Sequence, residues 1–301
     1  MTLDQLRVFV EVAERQHVTR AAAALNMTQS ATSAAVSALE QRHNVILFNR
    51  IGRRIELTEA GRLFLPEAKA LLERAGSLTH MLADLGGTAS GTLRVHASQT
   101  VASYWLPPRL VGYHERFPRV DLQLVVGNTR SAAEAVLAGQ AEFGIVEGEV
   151  DMPDLVHTQV AEDRLLLVVG HRHPWQDGRR IDVADLVDTT WIMREVGSGT
   201  RSAFERELRT LGVEPADLSV VLELPSNEAA IAAVEAGLSA SVISSRAVRS
   251  HYFSGRVRAM DFPMPARAFS VLHHRERHVT RAMRAMLDIL QEAEAPGGAA
   301  D

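Results

Sequence analysis

Residues 28–40 read TQSATSAAVSALE, a stretch of small and hydroxylated residues that ends in a leucine and an acid. A helix packed on both sides wants Leu, Ile or Phe. One that slides into a groove and meets a flat surface wants short polar side chains. With Thr28 as cap, Gln29, Ser30, Thr32 and Ser33 fall in the first turns, where their side chains and the free backbone N–H groups can meet phosphates and base edges. Gln can bond an adenine edge bidentately, and a Thr methyl can touch a thymine methyl. Ala31, Val36 and Leu39 are expected to face the core behind. The alternative is an alanine-rich helix with a purely structural role.

Upstream, Thr2-Leu3-Asp4-Gln5 has capping-box spacing, and Leu6, Phe9, Val10 and Ala13 recur on one face of a helix that runs to about Glu14. Thr19 is expected to cap a second, alanine-rich helix, Arg20 to Leu25. Asn26 suits the left-handed conformation that ends it. Helix, tight turn and helix make a helix-turn-helix. Downstream, Val45 to Phe48 and Ile55 to Leu57 flank a basic tip with Gly52, the pattern of a two-stranded wing. Thr58 and Glu59 then start a long helix. Leu63, Leu65, Ala68, Leu71, Leu72, Ala75, Leu78, Met81, Leu82 and Leu85 give it an approximate heptad stripe, expected to pair with another copy.

At 301 residues the chain suits two or three units, and 46% hydrophobic with 23% charged residues is a soluble globular composition. The absence of cysteine excludes disulfides, thiolate metal sites and cysteine redox chemistry, and it points to a reducing compartment. MTLDQLRVFVEVAERQ has no secretory-signal pattern, and no apolar run reaches about 18 residues. The expected location is the cytoplasm, with no membrane partner. Residues 1–62 hold eight arginines against six acids, a net +2, whereas the whole chain carries −5. A slightly basic head on an acidic body permits a nucleic-acid-binding module.

From Gly91 apolar runs alternate with helical patterns. Strands are expected at Thr92 to His96, Leu122 to Val126, Glu142 to Val146, Leu165 to Val169, Trp191 to Met193, Val220 to Leu224 and Ala240 to Ile243. Helices are expected at Leu106 to Phe117, Arg201 to Leu211 and Glu228 to Ala236, with a closing helix from Thr280 to Glu294 and a disordered tail from Pro296. This predicts an α/β fold with mostly parallel sheets and a ligand site beyond the carboxyl ends of strands.

Ala21 to Leu25, Thr28 to Ser33, Leu39-Glu40, Leu47-Phe48-Asn49-Arg50 and Leu57-Thr58-Glu59-Ala60-Gly61 together resemble the successive signatures of LysR-type transcriptional regulators. The resemblance covers essentially the whole chain. It implies a winged helix-turn-helix over 1–58, a linker and dimerisation helix over 59–87, and a two-lobed effector domain over 91–301, similar to periplasmic binding proteins. The lobes are expected at about 91–162 with 267–295, and at about 163–266. The family usually has proline at the place of Ser30, valine at that of Thr32, and often larger polar residues at Ala34 and Ala35. Gln29 and Ser33 match its DNA-facing positions, and Arg53 and Arg54 match its wing. Gln29 is expected to read sequence and Arg50, Arg53 or Arg54 to bind phosphate, with a buried structural pair as the other reading of Arg50. The implied partners are double-stranded promoter DNA, a small effector and further copies of the chain, in a dimer through the linker helix and a homotetramer.

Ser98-Gln99-Thr100, Asn128-Thr129, Gly197-Ser198-Gly199-Thr200-Arg201 and Ser226-Asn227 each follow a strand and open a helix. Hydroxyls and N–H groups at such starts are ready for anions, although Ser98, Thr200 and Ser226 can each be a plain helix cap. Convergence of the four segments predicts a cleft for a carboxylate or an oxyanion of sulfur or phosphorus. Arg201 is open to two roles, ligand contact or pairing with Glu195 or Glu205. Val196 to Arg201 and Ser226 to Gly237 resemble the branch of the family that governs inorganic carbon, nitrogen and sulfur assimilation, which points to sulfite or sulfate.

His171-Arg172-His173 and His273-His274 with His278 lack a completing carboxylate or cysteine and read as solvated histidines, so no metal is expected. No catalytic pairing, phosphate loop or dinucleotide fingerprint occurs, and no cofactor or enzyme activity is expected. The rival readings are an exported solute receptor and a bifunctional enzyme with a regulatory head.

Overall fold

The protein is described here by a computed structural model covering residues 1–51, 54–85 and 91–292, without the side chains of 50, 51, 54, 73, 77 and 79–85. Its two units, Met1–Leu82 and Ala83–Asp301, are taken in turn.

In the first unit α1 (Leu3–Arg15) opens on the expected capping box: the Gln5 N–H donates to Thr2 Oγ1 at 3.2 Å and the Thr2 N–H to Gln5 Oε1 at 3.0 Å. α2 (Val18–Ala24) is capped by His17, not Thr19. The Arg20 N–H donates to His17 Nδ1 at 3.5 Å, and Thr19 lies inside the helix. Asn26 takes the left-handed conformation, φ 53°, before Thr28 caps α3 (Gln29–His43).

The wing strands β1 (Phe48–Ile51) and β2 (Arg54–Leu57) pair antiparallel, with Phe48 opposite Leu57. β1 starts later than the apolar run at Val45 because Glu40 intervenes. Glu40 Oε1 accepts from the Leu47 and Phe48 N–H groups at 2.8 and 3.1 Å. α4 (Glu59–Leu85) leaves the wing through Thr58, whose hydroxyl donates to Ile46 O at 2.7 Å and accepts from the Gly61 N–H at 3.0 Å. A Cβ on Gly61 would stand 2.2 Å from Leu47 O, so the motif Leu57 to Gly61 needs glycine for close approach to backbone.

Phe9 centres this core, 5.3 Å from the Phe48 ring and 5.0 Å from Phe64. The stripe of α4 divides: Leu65, Ala68 and Leu72 pack on this core together with Phe64, while Leu63, Leu71 and Leu78 stay exposed. Part of the stripe expected to await another copy is therefore covered by the head itself.

The second unit carries β3 (Gly91–Ser98), α5 (Gln99–Tyr104), α6 (Pro107–Arg116), β4 (Val120–Gly127), α7 (Thr129–Ala138), β5 (Phe143–Glu147) and β6 (Leu155–Asp163). It continues with β7 (Leu165–Gly170), α8 (Val183–Asp188), β8 (Thr190–Arg194), α9 (Gly199–Thr210), β9 (Ser219–Leu224), α10 (Asn227–Ala236) and β10 (Ala240–Ser244). α11 (Ser245–Phe253), β11 (Val257–Ala259), β12 (Arg267–His274) and α12 (Arg281–Glu292) complete it. One sheet has the order β4-β3-β5-β12-β6 and the other β11-β7-β10-β8-β9.

The sheets are mixed rather than mostly parallel. β3 is parallel to β4 and β5, whereas β12 is antiparallel to β5 and β6. In the second sheet β8 is parallel to β9 and β10, and β7 is antiparallel to β10 and β11. The cause is the chain's route. It leaves the first sheet along β6 and enters the second along β7 one residue later, then returns along β12, so β7 opposes the βαβ strands of the second sheet and β12 those of the first. Each sheet buries aromatic anchors: Trp105, Tyr113, Phe143 and Phe269 in the first, Trp191 and Phe204 in the second. The closing helix is described as far as Glu292, and both its expected end at Glu294 and the tail from Pro296 lie outside the described residues. Among the described residues no helix is long and apolar enough to cross a membrane.

His173, expected to be solvated, is 4% exposed. Its Nδ1 accepts from the Trp175 N–H at 3.1 Å, and its Nε2 stands 3.3 Å from Thr189 Oγ1. Burial first, then the charges of Arg179 and Arg258, hold its pKa below the ordinary histidine value.

Two outcomes follow. Gly61→Ala should lower stability by about 1–3 kcal/mol, read from the denaturant midpoint, because backbone and not a flexible side chain meets the new methyl. His173 should cost stability in acid. The folded ring refuses a proton that the unfolded ring accepts, so its contribution is whole above an unfolded pKa of about 6.5 and is lost as pH falls through it toward the depressed folded value. Urea midpoints of wild type and His173→Asn should converge as pH drops.

Candidate functional site

On α3 the helical period sorts the candidate DNA-facing residues. Thr28, Gln29 and Ser30 are exposed and Ser33 is half-buried, but Thr32 is fully buried and its hydroxyl donates to Thr28 O at 3.0 Å. Thr32, Val36 and Leu39, four and three residues apart, share the inward face, while Ala31 points outward. The expected roles of Thr32 and Ala31 are thus exchanged, and Thr32 has no access to a base edge. Ser30 Oγ lies 3.0 Å from Thr28 Oγ1, and Thr28 Oγ1 accepts from the Ala31 N–H at 3.2 Å. Arg53 lies outside the described residues. Arg50 and Arg54 are placed in β1 and β2 by their backbones, and their side chains lie outside the description.

The four strand-to-helix segments of the second unit do come together, at the meeting of the two lobes. Most spend their polar groups on one another. The Asn227 N–H donates to Gln99 Oε1 at 3.1 Å and its side-chain amide to Thr100 Oγ1 at 3.0 Å. Gln99 Nε2 donates to Glu228 at 2.7 Å, and the Tyr104 hydroxyl donates to the other oxygen of Glu228 at 2.7 Å. Arg194, 3% exposed, donates to Asn227 Oδ1 at 2.9 Å and to both oxygens of Glu195 at 2.9 and 3.1 Å. Ser226 is a plain cap, accepting from the Ala229 N–H at 3.1 Å.

Asn128 caps α7 and reaches Val196 O at 3.4 Å, and the Arg130 N–H donates to Gly197 O at 3.1 Å. The Thr129 hydroxyl donates to Glu147 O at 3.0 Å, and that of Ser98 donates to the Glu147 carboxylate. Ser98 and Ser198 precede helices without capping them.

A cavity of about 500 Å³ opens beside this contact, lined by Thr129, Arg130, Gly197, Ser198, Arg201 and Ser202 among others. Ser198 is 1% exposed and its Oγ has no hydrogen-bond partner among the described residues. The first N–H groups of α9 beside it have no partner within the helix. Gly197 turns the chain into this position at φ 95°, a conformation that suits glycine. Arg201 is engaged. It donates to Glu205 at 2.7 Å and Glu223 at 2.5 Å, and these carboxylates raise its pKa against the opposing effect of burial. Arg130 is exposed on the cavity wall and makes no ion pair among the described residues. Of the three lining acids, Glu205 faces Arg201, Glu149 faces Arg206 at 2.7 Å, and Asp151 is exposed and makes no ion pair among the described residues.

Sequence reading missed the charges beneath this floor. Arg267 donates to Asp163 Oδ2 from Nε and Nη2 at 2.9 and 2.7 Å and to Thr200 Oγ1 at 3.0 Å, and it lies 3.8 Å from Glu147. Ser244 Oγ donates to Asp163 Oδ1 at 2.8 Å. Arg267, Asp163, Glu147 and Arg194 are all at most 5% exposed. Each stands at the end of an apolar strand, a signal visible in the sequence. Among the described residues no group of three or more His, Asp or Glu is placed to hold a metal ion.

A family model described as LysR substrate binding domain matches residues 86–295, and one described as bacterial regulatory helix-turn-helix protein, lysR family, matches residues 3–62. The chain is similar to the uncharacterized HTH-type transcriptional regulator YeiE of Escherichia coli (strain K12), 33% identical over 298 residues, 98% of this chain and 99% of that one. It is also similar to a probable RuBisCO transcriptional regulator of Cyanophora paradoxa, 35% identical over 251 residues, 82% of this chain and 77% of that one. Among solved structures it resembles the Synechocystis PCC6803 CcmR regulatory domain in complex with 2-PG, at TM-score 0.63 and 25% identity, over 69% of this chain and 99% of that one.

Removing one partner of a buried pair strands the other charge. Asp163→Ala should therefore cost about 3–5 kcal/mol in chemical denaturation, and the double exchange Asp163→Leu with Arg267→Met should recover much of that loss.

Proposed function

The chain belongs to the LysR family of transcriptional regulators, and from that premise we propose that it binds promoter DNA in the cytoplasm under the control of a small anion held in the cavity between Thr129, Arg130 and the start of α9. The observation that carries the effector reading is Ser198: a buried hydroxyl without a partner among the described residues, beside uncapped helix N–H groups and in the same cavity wall as Arg130, which makes no ion pair among them. A buried donor in that state is costly unless a ligand satisfies it, and an anion is what a helix start and a guanidinium both favour. A sulfur oxyanion such as sulfite or sulfate fits this chemistry, as does a carboxylate or phosphate. The complex of CcmR with 2-PG supports a small ligand in a related domain.

Gln99, Thr100 and Asn227 join the lobes to each other in this reading and do not hold ligand themselves. An anion that prefers one lobe arrangement shifts its population, and with it the geometry of paired DNA-binding heads. Gln29 reads a base edge from the exposed start of α3, and Arg53 in the wing binds phosphate. Self-association is supported by Leu63, Leu71 and Leu78, exposed along α4. It is further supported by Val125 and Val126 on β4 and by Val220 to Leu222 on β9, which are exposed on the edge strands of the two sheets. Exposed apolar edges are templates for further copies, so a dimer through α4 and a homotetramer through the sheet edges fit the surface.

Two measurements test this. The purified protein incubated with sheared genomic DNA of its source should enrich a few dyad-like intergenic fragments. On these Gln29→Ala should relax sequence preference, and Arg53→Ala should weaken all binding and reduce the salt slope by about 1. Equal losses for both variants on operator and scrambled DNA would refute that division. In thermal melts with sulfite, sulfate or 2-PG the midpoint should rise with the logarithm of ligand concentration. Arg130→Ala should weaken that ligand by about tenfold or more, and a ligand indifferent to both Arg130→Ala and Ser198→Val would place the effector elsewhere.

A further inference from the structure

A second cavity, of about 590 Å³, lies where the chain crosses from β6 to β7. Its wall includes Tyr104 of α5, Glu162 and Arg164 at the crossing, and Arg249, Tyr252 and Phe253 of α11. It shares no lining residue with the cavity at α9. Two features distinguish this wall. Arg164 and Arg249 are exposed and make no ion pair or side-chain hydrogen bond among the described residues. Phe253 is 76% exposed although it is a large apolar ring, and Tyr252 is 38% exposed. Their rings lie 5.8 Å apart at 67°, with the Arg249 guanidinium 6.0 Å from the centroid of Phe253.

The charges do not cancel within the cavity. Asp163 is committed to Arg267 from below, and Arg246 donates to Glu162 O at 3.0 Å and lies 3.8 Å from Asp163. That leaves Arg164 and Arg249 facing one exposed carboxylate, Glu162. Exposed aromatic faces beside free guanidinium groups suit a flat ring that carries negative charge: the ring covers Phe253 and Tyr252, and the anion pairs with the arginines.

We propose that this cavity is a second ligand site, separate from the anion site at α9, which takes a planar aromatic ring bearing an anionic group. Aromatic carboxylates and mononucleotides share that chemistry. Because Tyr104 belongs to one lobe and α11 to the other, an occupant touches both lobes at their crossing. It supports the lobe arrangement seen here independently of the α9 cavity.

The test is calorimetric titration and saturation-transfer NMR on the full chain with benzoate and with adenosine 5′-monophosphate, up to about 10 mM, a range that reads affinities as weak as about 1 mM. At least one probe should bind, and the arm that binds identifies the source of the ring. Cyclohexanecarboxylate, which keeps the charge without the flat ring, and benzamide, which keeps the ring without the charge, should both bind at least about tenfold more weakly. The double variant Arg164→Ala/Arg249→Ala and the single variant Phe253→Ala should each raise Kd by about tenfold or more, whereas Arg130→Ala should leave it unchanged. If the double variant melts early, Arg164→Gln/Arg249→Gln reads the same charge loss with the side-chain stems retained. Binding of neither probe overturns the proposal. So does cyclohexanecarboxylate binding equally well, or binding that follows Arg130 and not Arg164 and Arg249.

Discussion

Arg267 stands where the chain returns from the second sheet to the first, and its guanidinium is held by Asp163, which stands where the chain departs. Both are buried, so neither charge is tolerable without the other, and the penalty for separating them far exceeds that for a surface pair. The pair therefore locks the two crossings side by side. Thr200 joins it from the start of α9 and Ser244 from the cap of α11, while Glu147 approaches Arg267 and takes the Ser98 hydroxyl. Six segments thus meet at one charge cluster; Asp163 lies in the wall of the cavity at α11, and Thr129 in the wall of the cavity at α9 donates to Glu147 O.

That arrangement also seats the start of α9. A Cβ on Gly199 would come within 2.2 Å of Glu147 O and 2.6 Å of Thr129 Oγ1, so the start of α9 rests directly on the end of β5. With Thr200 held by Arg267 and Gly199 seated against Glu147, Ser198 is fixed in the cavity wall, and its hydroxyl is left without a partner among the described residues. Preorganisation of this kind lowers the ordering cost for the proposed anion. Gln99, Thr100, Asn227 and Arg194, by contrast, satisfy one another between the lobes, so these residues set lobe geometry.

The head uses the same economy at smaller scale. One carboxylate, Glu40, satisfies two backbone N–H groups before β1, and one hydroxyl, Thr58, ties the end of β2 to the start of α4. These contacts give physical reasons for the spaced motifs Leu39-Glu40 and Leu57 to Gly61 on which the family resemblance rests. They also present the exposed start of α3 with Gln29 and Ser30 outward and Thr32 locked inward.

Local chemistry determined much of this protein from sequence alone. The capping box at Thr2, the left-handed Asn26, the Thr28 cap and the strand-to-helix starts at Asn128 and Ser226 are decided within a few residues, by backbone groups that must be satisfied nearby. The family was legible for the same reason, since its signatures are short and each has a local cause. Which hydroxyl faces outward was not legible at Thr32, where one step of helical phase separates a base contact from the core, nor was the cap at His17. The mixed order of the sheets, the division of the α4 stripe, and the pairing of Arg267 with Asp163 were decided by tertiary structure. A buried charge selects its partner by distance in space, and 104 positions of chain separate these two residues. Whether a hydroxyl such as Ser198 ends as a cap or as an unpartnered group in a cavity depends on what the rest of the fold leaves within reach.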